Sequence, residues 1–523
     1  MSRTRLLATA LISCLALVLT ACGGGGGGGD SGTGAAGPSG EPVVGGEGRI
    51  ITLSEPRGLD PATLSNAYAA TALLGNALYG TLMTADDAGE IQYSMAESFT
   101  TDDGGTTFEL KLRPDLVFSD GTPLTAEAVK FNWDRLKDPA LGSTGRTEAV
   151  MVASTEAVDD RTLRVTLVSP MPKFAHSVIG SNLNWVASPA ALQQGAQSFD
   201  DNPIGAGPYL LESWKRQAEI TLVRNPRYWD APKPYLDRLV LRSVTDSSQR
   251  FNTVLTGGAD VAIDSSWVNI SKAREAGLVT HTMQLGGGLF AALNTRRPPF
   301  DDIRARRAVA AALDLDALNL AAYNGAAQPV DTLFSESSPF YSDTPLRRTD
   351  RELAQRLFDE LAAEGKPVSF AFTTTPTTEN RALAENVQTQ LSTFDNVKVE
   401  VRVLEVAEFS QLRSTYDFDA VITTAFFHDP EPRLSTVFAG DSASNLSGID
   451  DPELNRALEI GRTSLSQEER RAAYQTVQER LAELVPAIFI IRVGPSAIAG
   501  RNVGGLKQYG IGSLLPEEIW IQK

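Results

Sequence analysis

A turn that leads directly into a helix is encoded by Val117-Phe118-Ser119-Asp120-Gly121-Thr122-Pro123-Leu124-Thr125-Ala126-Glu127-Ala128-Val129. Asp120-Gly121 is a turn signal, since glycine accepts backbone dihedrals that other residues rarely adopt. Thr125 is a favoured N-cap residue, and Glu127 would lie in the first helical turn, where the helix dipole favours a negative charge. The stretch therefore predicts a turn and then a helix that runs to about Leu136.

Regular α/β patterns extend on both sides of this stretch. Residues 106–113, 162–168 and 397–403 alternate between polar and apolar side chains, which is typical of half-buried strands. Ser466 with Glu469 forms the pattern of a capping box before a long helix. Because strands and helices alternate through the second half of the chain, we expect an α/β fold with mostly parallel sheets and helical covers.

The first thirty residues indicate export. Arg3 and Arg5 precede an uncharged apolar run, and Leu19-Thr20-Ala21-Cys22 comes just before seven consecutive glycines. A basic start, an apolar segment of this length and small residues before a cleavage site are typical of a secretory signal peptide, here 1–21. Leu19-Thr20-Ala21-Cys22 also resembles the lipobox of bacterial lipoproteins. This resemblance implies that Cys22 carries the lipid and that residues 22–48 form a lipidated flexible tether. An ordinary signal peptide with a chance cysteine is the alternative.

Composition narrows the class of function. The chain of 523 residues has a formal net charge of −17, and its two cysteines are Cys14 and Cys22. Such an acidic surface disfavours nucleic acid and anionic lipid headgroups as partners. Removal of the signal peptide would leave Cys22 alone, so no disulfide is expected. The roughly 475 residues beyond the tether suffice for two or three domain-sized units.

Six segments, in a fixed order, resemble one known family. These segments resemble the extracellular solute-binding proteins of family 5, which are the peptide-binding components of bacterial importers. The segments are Leu59-Asp60-Pro61, 108–113, 117–129, 205–209, 224–229 and 294–309. This resemblance implies a two-lobe α/β fold, periplasmic-binding-protein-like and of type II, with an extra subdomain and a hinge between the lobes. A ligand would be enclosed between the lobes, because it contacts both of them only in the closed state.

The resemblance also implies how the chain divides. Lobe I would comprise 49–75, 206–292 and 488–523, its extra subdomain 76–205, and lobe II 293–487. The chain would cross between the lobes near Leu293 and near Ala487. Gly286-Gly287-Gly288, just before the first crossing, are the candidate hinge, since glycine allows both rotation and close backbone approach.

Candidate ligand-binding residues follow from the same resemblance. The segment after Pro61 would line the cleft, which points to Ser65, Asn66 and Tyr68 as hydrogen-bonding or stacking groups. Capping of the following helix by Ser65 or Asn66 is the alternative. Trp185 and Trp267 are further cleft candidates, and a place in the hydrophobic core is the alternative for each.

Phe426-Phe427-His428-Asp429-Pro430 is the sharpest candidate site. In oligopeptide-binding relatives an aspartate just before this Asp-Pro or Glu-Pro pair binds the amino terminus of the peptide, and Phe426 stands at that position here. The aromatic pair would favour an apolar, aromatic or sugar-like ligand over a peptide. Asp429 either contributes to the site or caps the turn with Pro430, and His428 is either a ligand of a metal complex or a structural hydrogen-bonding residue.

Catalysis is not expected. The three histidines, His176, His281 and His428, are scattered, and no Gly-x-Ser-x-Gly elbow, His-Glu-x-x-His pair or phosphate-binding loop occurs. The sequence therefore predicts a monomeric, lipid-anchored binding protein outside the cell membrane, without a cofactor or resident metal, that delivers a small solute or short peptide to an ABC importer permease. A ligand-sensing lipoprotein and a secreted hydrolase are the alternatives.

Overall fold

Three large sheets, three two-stranded sheets and the covering helices make up the computed structural model, which describes residue 35 and residues 37–66, 71–86 and 89–523. All of these residues belong to one structural unit. The strands within them are β1 Glu47–Thr52, β2 Met83–Ala85, β3 Ile91–Tyr93, β4 Ala96–Thr100, β5 Thr107–Leu112, β6 Val152–Ala157, β7 Thr162–Leu167, β8 Tyr209–Lys215, β9 Glu219–Arg224, β10 Arg238–Ser243, β11 Val261–Asp264, β12 Val279–Thr282, β13 Gly286–Leu293, β14 Val368–Thr374, β15 Val397–Val403, β16 Ala420–Phe427, β17 Ala487–Ile491, β18 Ser496–Ala499, β19 Val503–Gly504, β20 Gln508–Tyr509, β21 Ser513–Leu514 and β22 Trp520–Ile521.

The helices in the same residues range from one turn to five. They are α1 Ala72–Tyr79, α2 Ala126–Arg135, α3 Arg146–Ala149, α4 Phe174–Ile179, α5 Pro189–Leu192, α6 Ala196–Asp201, α7 Ser247–Leu255, α8 Trp267–Glu275, α9 Ile303–Ala312, α10 Leu315–Tyr323, α11 Arg351–Ala363, α12 Thr378–Leu391, α13 Val406–Thr415, α14 Arg433–Phe438, α15 Pro452–Thr463 and α16 Gln467–Leu484, with 3-10 turns at Pro139–Leu141, Asn182–Asn184 and Pro516–Glu518. Across the described residues, no helix is both long enough and apolar enough to cross a membrane.

A seven-stranded sheet organises the part of the molecule that we call lobe I. Its strand order is β12-β18-β11-β1-β10-β9-β8, and β1 runs parallel to both β10 and β11. The strands come from the beginning, the middle and the end of the chain. Apolar side chains of these strands pack with those of α1 in one core. This sheet therefore joins segments that are far apart in sequence.

A four-stranded sheet, β4-β5-β7-β6, forms a subdomain attached to lobe I. All of its neighbouring strands are antiparallel. The expectation of mostly parallel sheets is wrong for the described part of the molecule, because among its strands only β1 with β10 and β11, and β14 with β15 and β16, pair in parallel. Phe99, Phe108, Trp133 and Phe174 form an aromatic cluster beneath it, with ring centroids 4.7–6.4 Å apart. Aromatic packing of this kind stabilises a small core beyond the area that it buries.

A five-stranded sheet, β15-β14-β16-β13-β17, organises lobe II. The sheet is mixed: β14 is parallel to β15 and β16, whereas β13 is antiparallel to β16 and β17. Helices cover both faces, and two apolar cores lie on opposite sides of the sheet. The loop that follows β16 contains the candidate site residues His428 and Asp429.

Helix signals in the sequence are confirmed in most details. The hydroxyl of Thr125 accepts a hydrogen bond from Ala128 N at 3.4 Å, and α2 follows at once. Ser466 caps α16 by accepting from Glu469 N at 3.2 Å. The capping box is only half formed, however, because the Glu469 carboxylate accepts its hydrogen bond from the hydroxyl of Ser464.

The crossings between the lobes lie outside the positions expected from the sequence. β13 pairs with β16 along its whole length, from Gly286 with Phe427 to Leu293 with Ala420, and it therefore belongs to lobe II. β17 likewise pairs with β13. The connections between the two large sheets are therefore 283–285 and 492–495, and not Leu293 and Ala487.

The three glycines of β13 allow close packing of the backbone. A Cβ atom on Gly287 would lie 2.0 Å from Ala425 O, and one on Gly288 would lie 2.2 Å from Ile491 O. Gly287 also has φ +68°, in the left-handed region that side chains rarely adopt. Close approach thus explains these glycines without a hinge, and their role in a hinge stays a prediction.

Candidate ligand-binding site

A cavity of about 400 Å³ lies between the two lobes. One wall comes from lobe II, at the end of β16 and the start of α14. The opposite wall comes from the subdomain, at α3 and α4, with a contribution from the C-terminal segment at Gly510 and Ile511. A second cavity of about 320 Å³ adjoins it and shares His176, His428 and Asp429. Concave sites of this size, lined by two lobes, are typical of small-ligand binding.

The adjacent residues Phe426 and Phe427 face opposite sides of the sheet, because successive side chains of a strand alternate. The Phe427 ring is 2% exposed and packs in the lobe II core, with its centroid 5.7 Å from that of Phe334. Phe426 is half-buried, lines the cavity and packs against the lobe I core. Phe427 also borders the cavity, but Phe426 is the more exposed of the two rings and the one better placed to contact a ligand.

His176 and His428 meet at Gly89 from opposite lobes. The Nε2 atom of His176 lies 3.0 Å from Gly89 O, while its Nδ1 atom is buried and has no hydrogen-bond partner within the described part of the chain. A Cβ atom on Gly89 would lie 2.6 Å from the His428 ring. Gly89 thus makes room for His428, and the two rings border both cavities.

Asp429 is held by a buried ion pair. One Arg470 nitrogen, Nη2, donates to both carboxylate oxygens, at 2.8 and 2.9 Å, and the two side chains are only 2% and 8% exposed. Burial alone would raise the pKa of Asp429, but the charges of His176 and Arg470 hold it below its usual range. The carboxylate also accepts from Glu431 N at 3.1 Å, as the turn-capping alternative describes.

Glu431 is a second buried acid in the same wall. Burial raises its pKa to about 8, and the charge of Asp429 adds to this effect. Its carboxyl group lies 3.5 Å from the hydroxyl of Tyr474, whose ring is also close to Arg470. Because a neutral acid is the cheaper form to bury, we expect Glu431 to be largely protonated at neutral pH.

Glu148 and Arg433 bring opposite charges to the cavity from opposite lobes. Glu148, on α3, is half-buried, and burial raises its pKa to about 7, while the nearby charge of Arg433 opposes the rise. Arg433, the first residue of α14, donates from Nη2 to Thr424 O at 2.6 Å. Both residues line the cavity.

Four residues proposed from the sequence lie elsewhere. The side-chain amide of Asn66 donates to Ile179 O and Ser181 O, and its oxygen accepts from Ser513, so it connects three segments. The backbone N–H of Ser65 donates to the hydroxyl of Thr71, at the start of α1. Neither residue lines the 400 Å³ cavity, and neither caps α1, whose N-cap is Thr71.

The two tryptophans are buried in cores, as their alternatives describe. Trp185 is 1% exposed, and its Nε1 donates to the side chain of Asn76 at 3.0 Å. Trp267 is 4% exposed, and its Nε1 donates to Arg492 O at 2.8 Å, beside the second connection between the lobes. Burial in a core removes both rings from the cavity wall.

Two further sites lie outside the described residues, namely Tyr68 and the lipidation site Cys22. Sequence reasoning missed four ionisable residues of the cavity lining: Glu148, His176, Glu431 and Arg433. Arg433 could have been found from its position three residues after Pro430, at the end of the same loop. Glu148 and His176 give no local signal, because only the tertiary fold brings them to the loop.

In the described ranges, no cluster of three or more His, Cys, Asp or Glu residues is arranged to bind a metal ion.

Comparisons with known proteins agree with this geometry. The family model of the bacterial extracellular solute-binding proteins, family 5 Middle, matches residues 90–445. The glutathione-binding protein GsiB of Escherichia coli K12 is 28% identical over 375 residues, which cover 70% of each chain. Among solved structures, NikA from Brucella suis in complex with Fe(III)-EDTA has a TM-score of 0.79 at 21% identity, covering 91% of this chain and all of that one. DppA from Helicobacter pylori in complex with the peptide STSA has a TM-score of 0.77 at 22% identity, covering 92% and 99%.

The chain therefore belongs to the family 5 extracellular solute-binding proteins, since the family model covers more than half of it. The expected two-lobe periplasmic-binding-protein fold is confirmed by the structural neighbours. Both the family and the fold are those of binding proteins and not of enzymes.

Proposed function

We propose that this protein is a lipid-anchored substrate-binding protein that encloses a small solute or short peptide between its lobes and delivers it to an ABC importer. The observation that carries the proposal is the 400 Å³ cavity, to which both lobes contribute charged and polar side chains. A ligand in this position contacts both lobes only when they are closed, so binding favours the closed state by the difference in affinity.

The relatives suggest the range of ligands. One is named for glutathione, one structure holds the tetrapeptide STSA, and one holds a chelated metal ion. All three are small and polar. A cavity of about 400 Å³ fits solutes of this size and is too small for a folded partner.

The proposed organisation of the chain keeps the sequence boundaries except at the crossings. Residues 1–21 would be the signal peptide and 22–48 the tether, with Cys22 as the lipidated first residue of the mature protein. The subdomain would occupy 76–205. The hinge would comprise the two connections 283–285 and 492–495, because these segments join the seven-stranded and the five-stranded sheets.

The binding function is tested by native mass spectrometry of the protein purified from its own cells. We expect a bound species below about 1,000 Da that is released by unfolding, together with a smaller radius of gyration in X-ray scattering when the ligand is returned. Cells lacking the gene should lose uptake of that compound, and restored expression should return it. Chemical conversion of the compound by the purified protein would contradict the proposal.

The anchor is tested separately on the membrane fraction. We expect the mature N-terminus to be an acylated Cys22, and we expect the variant Cys22→Ser to be released from the membrane. An unmodified N-terminus, or a free thiol at Cys22, would remove the anchor and leave the binding function intact.

A further inference from the structure

We infer that Arg492 is a positioning residue that couples rotation of the lobes to the shape of the 320 Å³ cavity. The inference rests on the proposed function, because it concerns the proposed hinge and one wall of the proposed binding site. Arg492 is the first residue of the connection 492–495, and it is not among the residues that line either cavity. Its effect on a ligand is therefore indirect.

The Arg492 guanidinium binds four backbone carbonyls of lobe II. Its Nη1 atom donates to Gly287 O and to Leu333 O, both at 3.0 Å. Its Nη2 atom donates to Thr332 O at 2.8 Å and to Phe334 O at 2.9 Å. The planar fork of a guanidinium suits such a set of acceptors better than the point charge of a lysine does. The side chain therefore fixes two separate segments of lobe II to each other.

Both segments continue into the lining of the 320 Å³ cavity. Gly286 borders this cavity, and so do Ser335 and residues 337–340. The ring of Phe334 packs against that of Phe340, with the two centroids 5.8 Å apart. Because close-packed side chains transmit displacement, a movement of Phe334 reaches the cavity wall.

The backbone of Arg492 connects the same residue to lobe I. Its carbonyl oxygen accepts a hydrogen bond from Nε1 of Trp267 at 2.8 Å, and Trp267 belongs to α8, which packs on β12 and β18. The indole also fills the space beside Gly494, where a Cβ atom would lie 2.7 Å from it. On the other side, Arg492 N donates to Gln328 O of lobe II at 2.8 Å. Arg492 is thus held by both lobes at the point where the chain passes between them.

The two connections between the lobes are also joined to each other. Met283 N donates to Pro495 O at 3.0 Å. Gln284, in the first connection, is exposed and borders the 320 Å³ cavity. Rotation of the lobes therefore acts on segments that either hold Arg492 or border the cavity.

These contacts form a continuous route from lobe I to the cavity wall. When α8 moves with lobe I, Trp267 displaces the Arg492 carbonyl, and the guanidinium carries the loop 332–334 with it, since the loop carbonyls would otherwise lose their donor. The alternative is that Arg492 only satisfies these carbonyls within lobe II. That alternative predicts no effect of Trp267 on the loop.

The test measures hydrogen exchange by mass spectrometry on the full chain, in a peptide that spans 332–341. The amides of Leu333 and Ser338 are hydrogen-bonded, to Gln478 Oε1 and to Ser335 O, so their exchange reports opening of the loop. The variants are Arg492→Met, Arg492→Lys, Trp267→Phe and the double variant Arg492→Met with Trp267→Phe. Phenylalanine keeps an aromatic ring and removes the N–H donor.

Arg306→Met and Trp185→Phe are the matched controls. Arg306, also in lobe II, donates to Phe300 O at 2.7 Å and to Leu484 O at 2.8 Å, outside the two connections. Trp185 donates from Nε1 to the side chain of Asn76 inside lobe I. The controls remove the same chemical groups as the test variants and leave the link intact, and thermal unfolding checks that every variant folds.

We expect Arg492→Met to speed exchange in the 332–341 peptide about tenfold, and Arg492→Lys to speed it less because lysine keeps some of the donors. Trp267→Phe should speed the same exchange about threefold, although the substitution lies in lobe I, and it should add nothing in the double variant. Both controls should stay within about twofold of the wild type. Unchanged exchange in Trp267→Phe, or an additive effect in the double variant, would overturn the inference.

Native mass spectrometry of the same proteins separates failure of this inference from failure of the proposed function. After extended dialysis, Arg492→Met and Trp267→Phe should keep about threefold less of the species that co-purifies with the wild type than the two controls keep. Equal retention would overturn the inference and leave the binding function standing. Absence of any co-purified species from the wild type would end both.

Discussion

The lobe II wall of the cavity comes mainly from one stretch, 424–436, with Ser444 beside it, whereas the opposite wall combines Ala85, 144–148, 176–180 and 510–511. Behind the lobe II wall lie a sheet strand, the buried Asp429–Arg470 ion pair and the Phe427 ring. The opposite wall is built from short helices and a C-terminal loop. The difference indicates that lobe II presents a fixed surface, while the shape of the other wall depends on how four segments that are distant in sequence pack together.

Loss of the Arg470 charge should have the largest effect, because it supports the fixed wall. Arg470→Met leaves the buried Asp429 carboxylate unpaired, which costs about 3–5 kcal/mol of unfolding free energy. Urea unfolding measures this loss, and Arg471→Met, at the exposed neighbouring position, is the control. The double variant with Asp429→Asn should recover part of the stability. A loss no larger than that of the control would show that the wall does not depend on the ion pair.

The two faces of β16 should respond differently to truncation. Phe427→Ala should cost about 3–5 kcal/mol of unfolding free energy, since its ring is fully packed in the lobe II core. Phe426→Ala should cost much less stability and should weaken binding of the ligand identified by mass spectrometry, as measured by calorimetry. If the affinity is unchanged, Phe426 does not contact the ligand.

The stability of the protein should fall as the pH rises from 5 to 8. The folded pKa values of Glu148, Glu431 and Glu517 are about 7, 8 and 7, each raised chiefly by burial from an ordinary value of 4.5. The folded state therefore binds more protons than the unfolded state in this range, and the stabilisation is lost as these groups ionise. We expect urea unfolding to give a lower free energy of unfolding at pH 8 than at pH 5.

Glu431→Gln isolates the contribution of lobe II to this pH dependence, because the amide cannot ionise. Urea unfolding at pH 5 and pH 8 should show a smaller difference in this variant than in the wild type. Glu517→Gln provides the same comparison for lobe I. A wild-type stability that rises across this interval would contradict the assignment of these acids.

Loss of an exposed hydrogen bond between lobe II and the subdomain should have the smallest effect on ligand binding. Arg462 of lobe II donates to the hydroxyl of Ser169 in the subdomain at 2.9 Å. Exposed polar contacts of this kind contribute about 1 kcal/mol or less. Arg462→Ala should therefore weaken ligand binding only a few-fold, with Arg164→Ala, which breaks an ion pair inside the subdomain, as the control. A hundredfold loss of ligand affinity would show that the contact between Arg462 and Ser169 is among the main determinants of lobe closure.

Short-range signals in the sequence predicted local structure well. Thr125 caps α2 and Ser466 caps α16, because a cap depends on residues within one helical turn. The glycines of β13 were recognised as a place of close approach, but their membership in the lobe II sheet was not. Strand pairing there depends on β16 and β17, more than 100 residues away in sequence.

The candidate site was predicted for one wall only. Phe426, His428 and Asp429 line the cavity, and the sequence pointed to them because they lie within four residues of one another beside a turn signal at the end of a strand. Asn66 and Trp185 were placed in the cleft, whereas the structure uses them as hydrogen-bonding and packing residues inside lobe I. Nothing in the residues around Glu148 or His176 distinguishes them from other polar residues on short helices.

The sequence by itself determined the family, the α/β character and the loop that forms the lobe II wall, since each of these is encoded in ordered motifs or in contacts within a few residues. Only the tertiary structure decided which charges face each other across the cavity, where the chain crosses between the lobes and which aromatic rings are buried. The reason is that long-range packing sets these features, and its contacts join segments that no local pattern connects.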